Sequence, residues 1–129
     1  MRKFGALFIL FFFLALFANA QDKLNLNGLW QDSCGTSFSN CYAIISQDGN
    51  QIKFSHYLEW EGQSFVETGK GKLKGRTIVY NVKVTQKISG WATEGVHELT
   101  LSPDGNTLRG SYKDNKGNTG TIVLKRFSS

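Results

Sequence analysis

The residues with the widest chemical repertoire in this chain are two cysteines and two histidines. Cys34 and Cys41 bracket the polar stretch CGTSFSNC, while His56 and His97 stand singly in the alternating runs SHYLEW and GVHELTL. A thiol pair can staple a loop, cycle between dithiol and disulfide, or join the two imidazoles around zinc, and a free histidine can work as an acid or base beside a carboxylate such as Glu67. Spacing separates these chemistries. Redox catalysts use the tighter C-x-x-C arrangement. A zinc set of Cys34, Cys41, His56 and His97 has suitable donor types but ligands scattered along the chain, so no metal is implied. For Glu67 with His56 or His97 as an acid/base pair, the sequence supplies no nucleophile motif, phosphate-cradling loop or metal box. The expectation is therefore a protein that is not an enzyme and carries no cofactor.

Compartment decides what a thiol pair does. The chain opens with MRK, continues with the 14 apolar residues Phe4 to Phe17, and reaches the small-x-small sequence ANA before Gln21. That is the form of a secretory signal peptide over residues 1–20, leaving a single domain over 21–129. The apolar run falls short of the ~20 residues a spanning helix needs, so no stable membrane insertion is expected once it is cleaved. The expected location is secreted or periplasmic. Arg2 and Lys3 leave with the signal, so the 15 Lys and Arg of the chain fall to 13 against 10 Asp and Glu. A charge of +3 spread along a mature chain of about 109 residues is ordinary solubility. Its densest basic run, KGKLKGR, is no nucleic-acid signature, and no nucleic-acid partner is expected.

The elements that must position these side chains are strands. The chain has one proline and no sustained helical spacing of apolar residues, but Gly and Asn clusters recur about every ten residues between alternating runs rich in Thr, Val, Ile and Tyr. Asp48-Gly49 and Asp104-Gly105 read as two-residue hairpin turns, Gly75-Arg76 as a turn with glycine first, and Asn115-Lys116-Gly117 as a three-residue loop. The first pairs Ile45 with Ile52 and Ala43 with Phe54. The others pair Leu101 with Leu108, Leu73 with Ile78 and Tyr112 with Gly120. Each places apolar residues on one face, with lysines such as Lys53, Lys72 and Lys83 on the other. Eight antiparallel strands in sequence order with one apolar face close most economically into an all-β, up-and-down β-barrel without exposed edges, in preference to a two-sheet sandwich. Gly71, opposite Tyr80, then leaves room inside the barrel.

Gly28-Leu29-Trp30 opens the first strand, and Arg126 closes the last in LKRF. A G-x-W near the start, met by a basic residue of the final strand, resembles the structural signature of the calycin superfamily, which includes lipocalins, fatty-acid-binding proteins and avidins. The resemblance implies that Trp30 plugs the closed end of the barrel and Arg126 packs across its ring. The lipocalin C-terminal helix is missing, and the avidin biotin contacts do not map onto this chain.

The same registers, extended, set Cys34 opposite Cys41, facing inward beside His56. Cross-strand neighbours in an exported protein then favour a structural disulfide. The long loops gather at one end of the barrel and the tight turns at the other. Around the open end the inner wall collects His56, Trp60, Glu67, His97 and Tyr112, with Trp91 and Phe38 in the loops above. Aromatic walls with a few convergent polar groups are typical of small-molecule sites. The expected function is binding of a small, largely apolar or aromatic ligand there. The competing expectation is a protein partner, such as a protease gripped by the N-terminal segment QDKLNLN.

Overall fold

A computed structural model describes residues 24–127. The expected signal peptide, its cleavage at Gln21 and the first residues of QDKLNLN lie outside the described residues. The strands are β1 (Gly28–Asp32), β2 (Phe38–Asp48), β3 (Gln51–Trp60), β4 (Gln63–Lys74), β5 (Thr77–Val84), β6 (Glu94–Leu101), β7 (Thr107–Asp114) and β8 (Thr119–Arg126). Each pairs antiparallel with the next, and β8 returns to β1 through Trp30 opposite Arg126, closing an eight-stranded up-and-down barrel. The expected fold class is the one observed.

Alternation explains the strands. In β3, Ile52, Phe54, His56 and Leu58 are buried while Gln51, Lys53, Ser55 and Tyr57 face out. The expected pairs Leu73 with Ile78, Leu101 with Leu108 and Tyr112 with Gly120 all form. The first hairpin differs from expectation: Ile45 faces Phe54 and Ala43 faces His56, with Asp48 opposite Gln51. Gly49, at φ 58°, takes the first central position of the turn, where positive φ is required, and Asn50 takes the second. The slip is two residues, so every side chain keeps its face.

The cysteine pairing needs correction as well. Cys34 and Cys41 are free thiols not joined by a disulfide. β1 aligns Gln31 with Tyr42 and ends at Asp32, so Cys34 lies beyond the paired strand rather than directly across from Cys41. A bulge between Ser39 and Tyr42, with Asn40 at φ 37°, breaks the β2–β3 register at the same place. Burial, reinforced by the neighbouring Cys34 thiol, pushes the Cys41 thiol up to about 12. A nucleophilic thiolate is thereby suppressed. In the reduced protein Cys41 should resist iodoacetamide until the barrel unfolds, which mass spectrometry with and without denaturant reads directly; rapid native labelling of Cys41 would contradict its placement.

The interior divides in two. Leu26, Trp30, Ala43, Ile45, Ile52, Phe54, Ile78, Tyr80, Leu99, Leu108 and Leu124 form a packed core toward the closed end. There Trp30 is fully buried, its Nε1–H donates to the Leu26 carbonyl at 3.0 Å, and the Arg126 guanidinium lies 4.4 Å above its ring. A smaller cluster of Cys41, Leu58, Phe65 and Ile88 sits toward the other end, with Phe38, Trp60 and Trp91 packed on it. Close backbone approach makes the core compact: a Cβ on Gly71 would strike the Val79 carbonyl oxygen and the Tyr80 Cα. Glycine is needed there for the backbones of the two strands to meet, more than to make room for the Tyr80 ring.

Candidate ligand site

Between the two clusters lies a cavity of about 500 Å³, reached from the open end. All six residues expected from the sequence line it: His56, Trp60, Glu67, Trp91, His97 and Tyr112. Five sit on strands, His56 and Trp60 on β3, Glu67 on β4, His97 on β6 and Tyr112 on β7, so a continuous sheet fixes their positions. His56 is cross-strand from Glu67, and His97 from Tyr112. Trp91 comes from the long β5–β6 connection, where its N–H donates to the Ile88 carbonyl at 3.1 Å and the preceding Gly90 takes φ 83°. A side chain at Gly90 would also press on the Trp60 ring.

The upper wall is aromatic. The Trp91 ring lies 5.1 Å from Trp60, 5.0 Å from Phe65 and 5.7 Å from Phe38, in tilted and edge-on contacts that suit aromatic quadrupoles. At the side, Tyr112 lies over Gly120, where any Cβ would collide with its ring. Gly120 therefore lets Tyr112 lie flat along the wall.

The floor is polar. His56 Nε2 and the Asp32 carboxylate are 2.9 Å apart, and on the other side His56 Nδ1 lies 3.7 Å from the Glu67 carboxylate. The Tyr80 hydroxyl and His97 Nδ1 form a buried hydrogen bond of 2.9 Å. Burial, helped by His56, drives the His97 pKa down to about 3, so its ring is neutral near pH 7. Burial raises the Glu67 pKa, opposed by nearby His56. Asp32 is the member of this group that the sequence reading passed over. It follows Trp30 by two residues and must share its inward face, so strand alternation could have found it.

Glu67 thus costs the fold stability at neutral pH. An acid whose pKa is higher folded than unfolded keeps its proton longest in the folded state, so its effect on stability turns unfavourable as pH rises through the raised value. Glu67→Gln should raise the melting temperature at pH 7 and leave it nearly unchanged near pH 3. His97 acts oppositely. Below about pH 6.5 the unfolded chain takes a proton that the folded one refuses, so stability falls with acidification toward pH 3. A lower melting temperature for Glu67→Gln at pH 7 would mean that the carboxylate holds the barrel together.

Compared with known families and curated proteins, the chain matches no family model and no curated sequence. Among the described residues no three His, Cys, Asp or Glu side chains are grouped as metal ligands.

Proposed function

We propose that this chain is a small secreted or periplasmic barrel of the calycin kind, lipocalin- or avidin-like, that binds a small, largely apolar or aromatic molecule in its open end. The observation carrying this reading is the cavity itself. It holds about 500 Å³ behind an aromatic rim, within the range of small-molecule sites, while the opposite end is packed solid around Trp30. The stacking of Arg126 on Trp30 supports the calycin resemblance.

Binding fits the chemistry better than catalysis. The Cys41 thiol is held protonated, and His56 is engaged by carboxylates on both sides rather than by a nucleophile. The reading in which QDKLNLN grips a protein is weakened by the packing of its described part, Leu24 to Asn27. Leu26 is fully buried, Leu24 packs on the core, and the Leu24 carbonyl accepts a hydrogen bond from Gln47 Nε2 at 3.0 Å.

Mass spectrometry of the exported protein tests both parts of the proposal. Under denaturing conditions the mass should correspond to a chain beginning at Gln21. Under native conditions, protein from its own source should carry a small molecule that leaves on unfolding. A full-length chain retained in the cell would contradict export.

A further inference from the structure

The cavity has a charge preference. Among the described residues no Lys or Arg lines it, although the protein as a whole is basic, whereas Asp32, Glu67, Glu94 and Asp114 do. Two of these acids are committed elsewhere. Glu94 is exposed at the rim, 3.7 Å from Lys83, and the Asp114 carboxylate accepts the backbone N–H groups of Lys116 and Asn118 in its own loop. Asp32 and Glu67 remain on the floor. Glu67 is only 7% exposed, and its nearest ionisable neighbour, His56 Nδ1 at 3.7 Å, lies beyond hydrogen-bond distance.

A second observation concerns His56, which is 3% exposed. Its Nε2 faces the Asp32 carboxylate, an acceptor, and so must carry the proton of that hydrogen bond. Nδ1 is buried without a hydrogen-bond partner, and where the ring is neutral it is a bare acceptor. A buried acceptor beside a buried carboxylate, both on the cavity wall, lacks a donor with several N–H groups. An ammonium group supplies three.

We propose that the cavity takes a small aromatic or apolar molecule bearing one protonated amine, its ammonium seated among Glu67, His56 Nδ1 and Asp32 and its body held by Trp60, Trp91 and Tyr112. This rests on the reading that the open end binds a ligand, and it names the chemistry of that ligand. A carboxylate or phosphate ligand would meet the buried Glu67 and the half-buried Asp32 and, among the described residues, no Lys or Arg. A neutral alcohol would satisfy one acceptor and forgo the charge. The aromatic walls favour the cation further, since ring faces attract positive charge.

The test uses three probes of one shape: 2-(1-naphthyl)ethylamine, 2-(1-naphthyl)ethanol and 1-naphthaleneacetate, titrated calorimetrically at pH 7 into the full mature protein. The amine is expected to bind at least about tenfold more tightly than the alcohol, consistent with a charge-assisted hydrogen bond in a desolvated site, and the acid to bind most weakly. Glu67→Gln should bring the ratio of amine to alcohol affinity close to one. Asp32→Asn provides a second reading of the ratio should Glu67→Gln not fold. Equal affinities for amine and alcohol, or tightest binding of the acid, would overturn the cation preference while leaving the pocket standing. An unchanged ratio in both folded variants would also overturn it. No binding of any of the three would count against the cation and the pocket together.

Discussion

Trp30→Ala is expected to reduce the stability of the barrel by about 3–5 kcal/mol, the usual cost of truncating a fully buried aromatic residue. Trp30 is the largest fully buried side chain, and its indole both fills the closed end and donates to the Leu26 carbonyl. Removing it leaves a void beneath Leu26 and strands an acceptor. In a domain of this size each 1 kcal/mol is worth about 4–8 °C, so the variant should melt more than ~12 °C below the parent. Arg126→Ala should cost less, about 2–3 kcal/mol, through the lost cation–aromatic contact and through the Gly105 and Asn25 carbonyls to which its guanidinium donates. Lys72→Ala, on the outer face, should stay within about 0.5 kcal/mol of the parent. Thermal melts of the three variants give the order. Arg126→Ala melting with Lys72→Ala would contradict the closure.

Trp91→Ala should have the largest effect on binding. Its ring contacts Trp60, Phe65 and Phe38 at once, and its truncation would open the aromatic rim to water. Burying a large apolar side chain against a ligand is worth about 1.5–3 kcal/mol, so an aromatic probe should lose roughly 10- to 100-fold in affinity. The fold should persist, because Trp91 is partly exposed in a connection and belongs to neither the sheet nor the larger core. Paired calorimetric titration and melting of the variant separate the two effects. Unchanged affinity in a folded Trp91→Ala protein would move the site elsewhere.

Strand alternation made most of this architecture legible before the structure. It placed Trp60, Glu67, His97 and Tyr112 on one wall because a period of two fixes faces whatever the turn. It could not fix the first hairpin, since Asp-Gly and Gly-Asn in QDGNQ are both acceptable turn pairs and both keep the same face inward. The cysteines were misread for a related reason. Their pairing depended on extending β1 through a segment that leaves the sheet after Asp32, opposite a bulge that has no sequence signature of its own. The cavity was legible as a set of inward residues, but its volume depends on how Trp91 settles over Trp60, and a connecting loop has no periodicity from which to read that.

If the open end, and not the closed end or the outer wall, binds the ligand, the three tryptophans of the chain report it most directly. In a ¹⁵N-labelled protein each indole Nε1–H gives one NMR signal. On titration with 2-(1-naphthyl)ethylamine, the Trp60 and Trp91 signals should shift in a saturable way, because both rings line the cavity. The Trp30 signal, hydrogen-bonded to Leu26 beneath the packed core, should stay where it is. Saturable movement of Trp30 with Trp60 and Trp91 unmoved would place binding at the closed end and remove the open-end site.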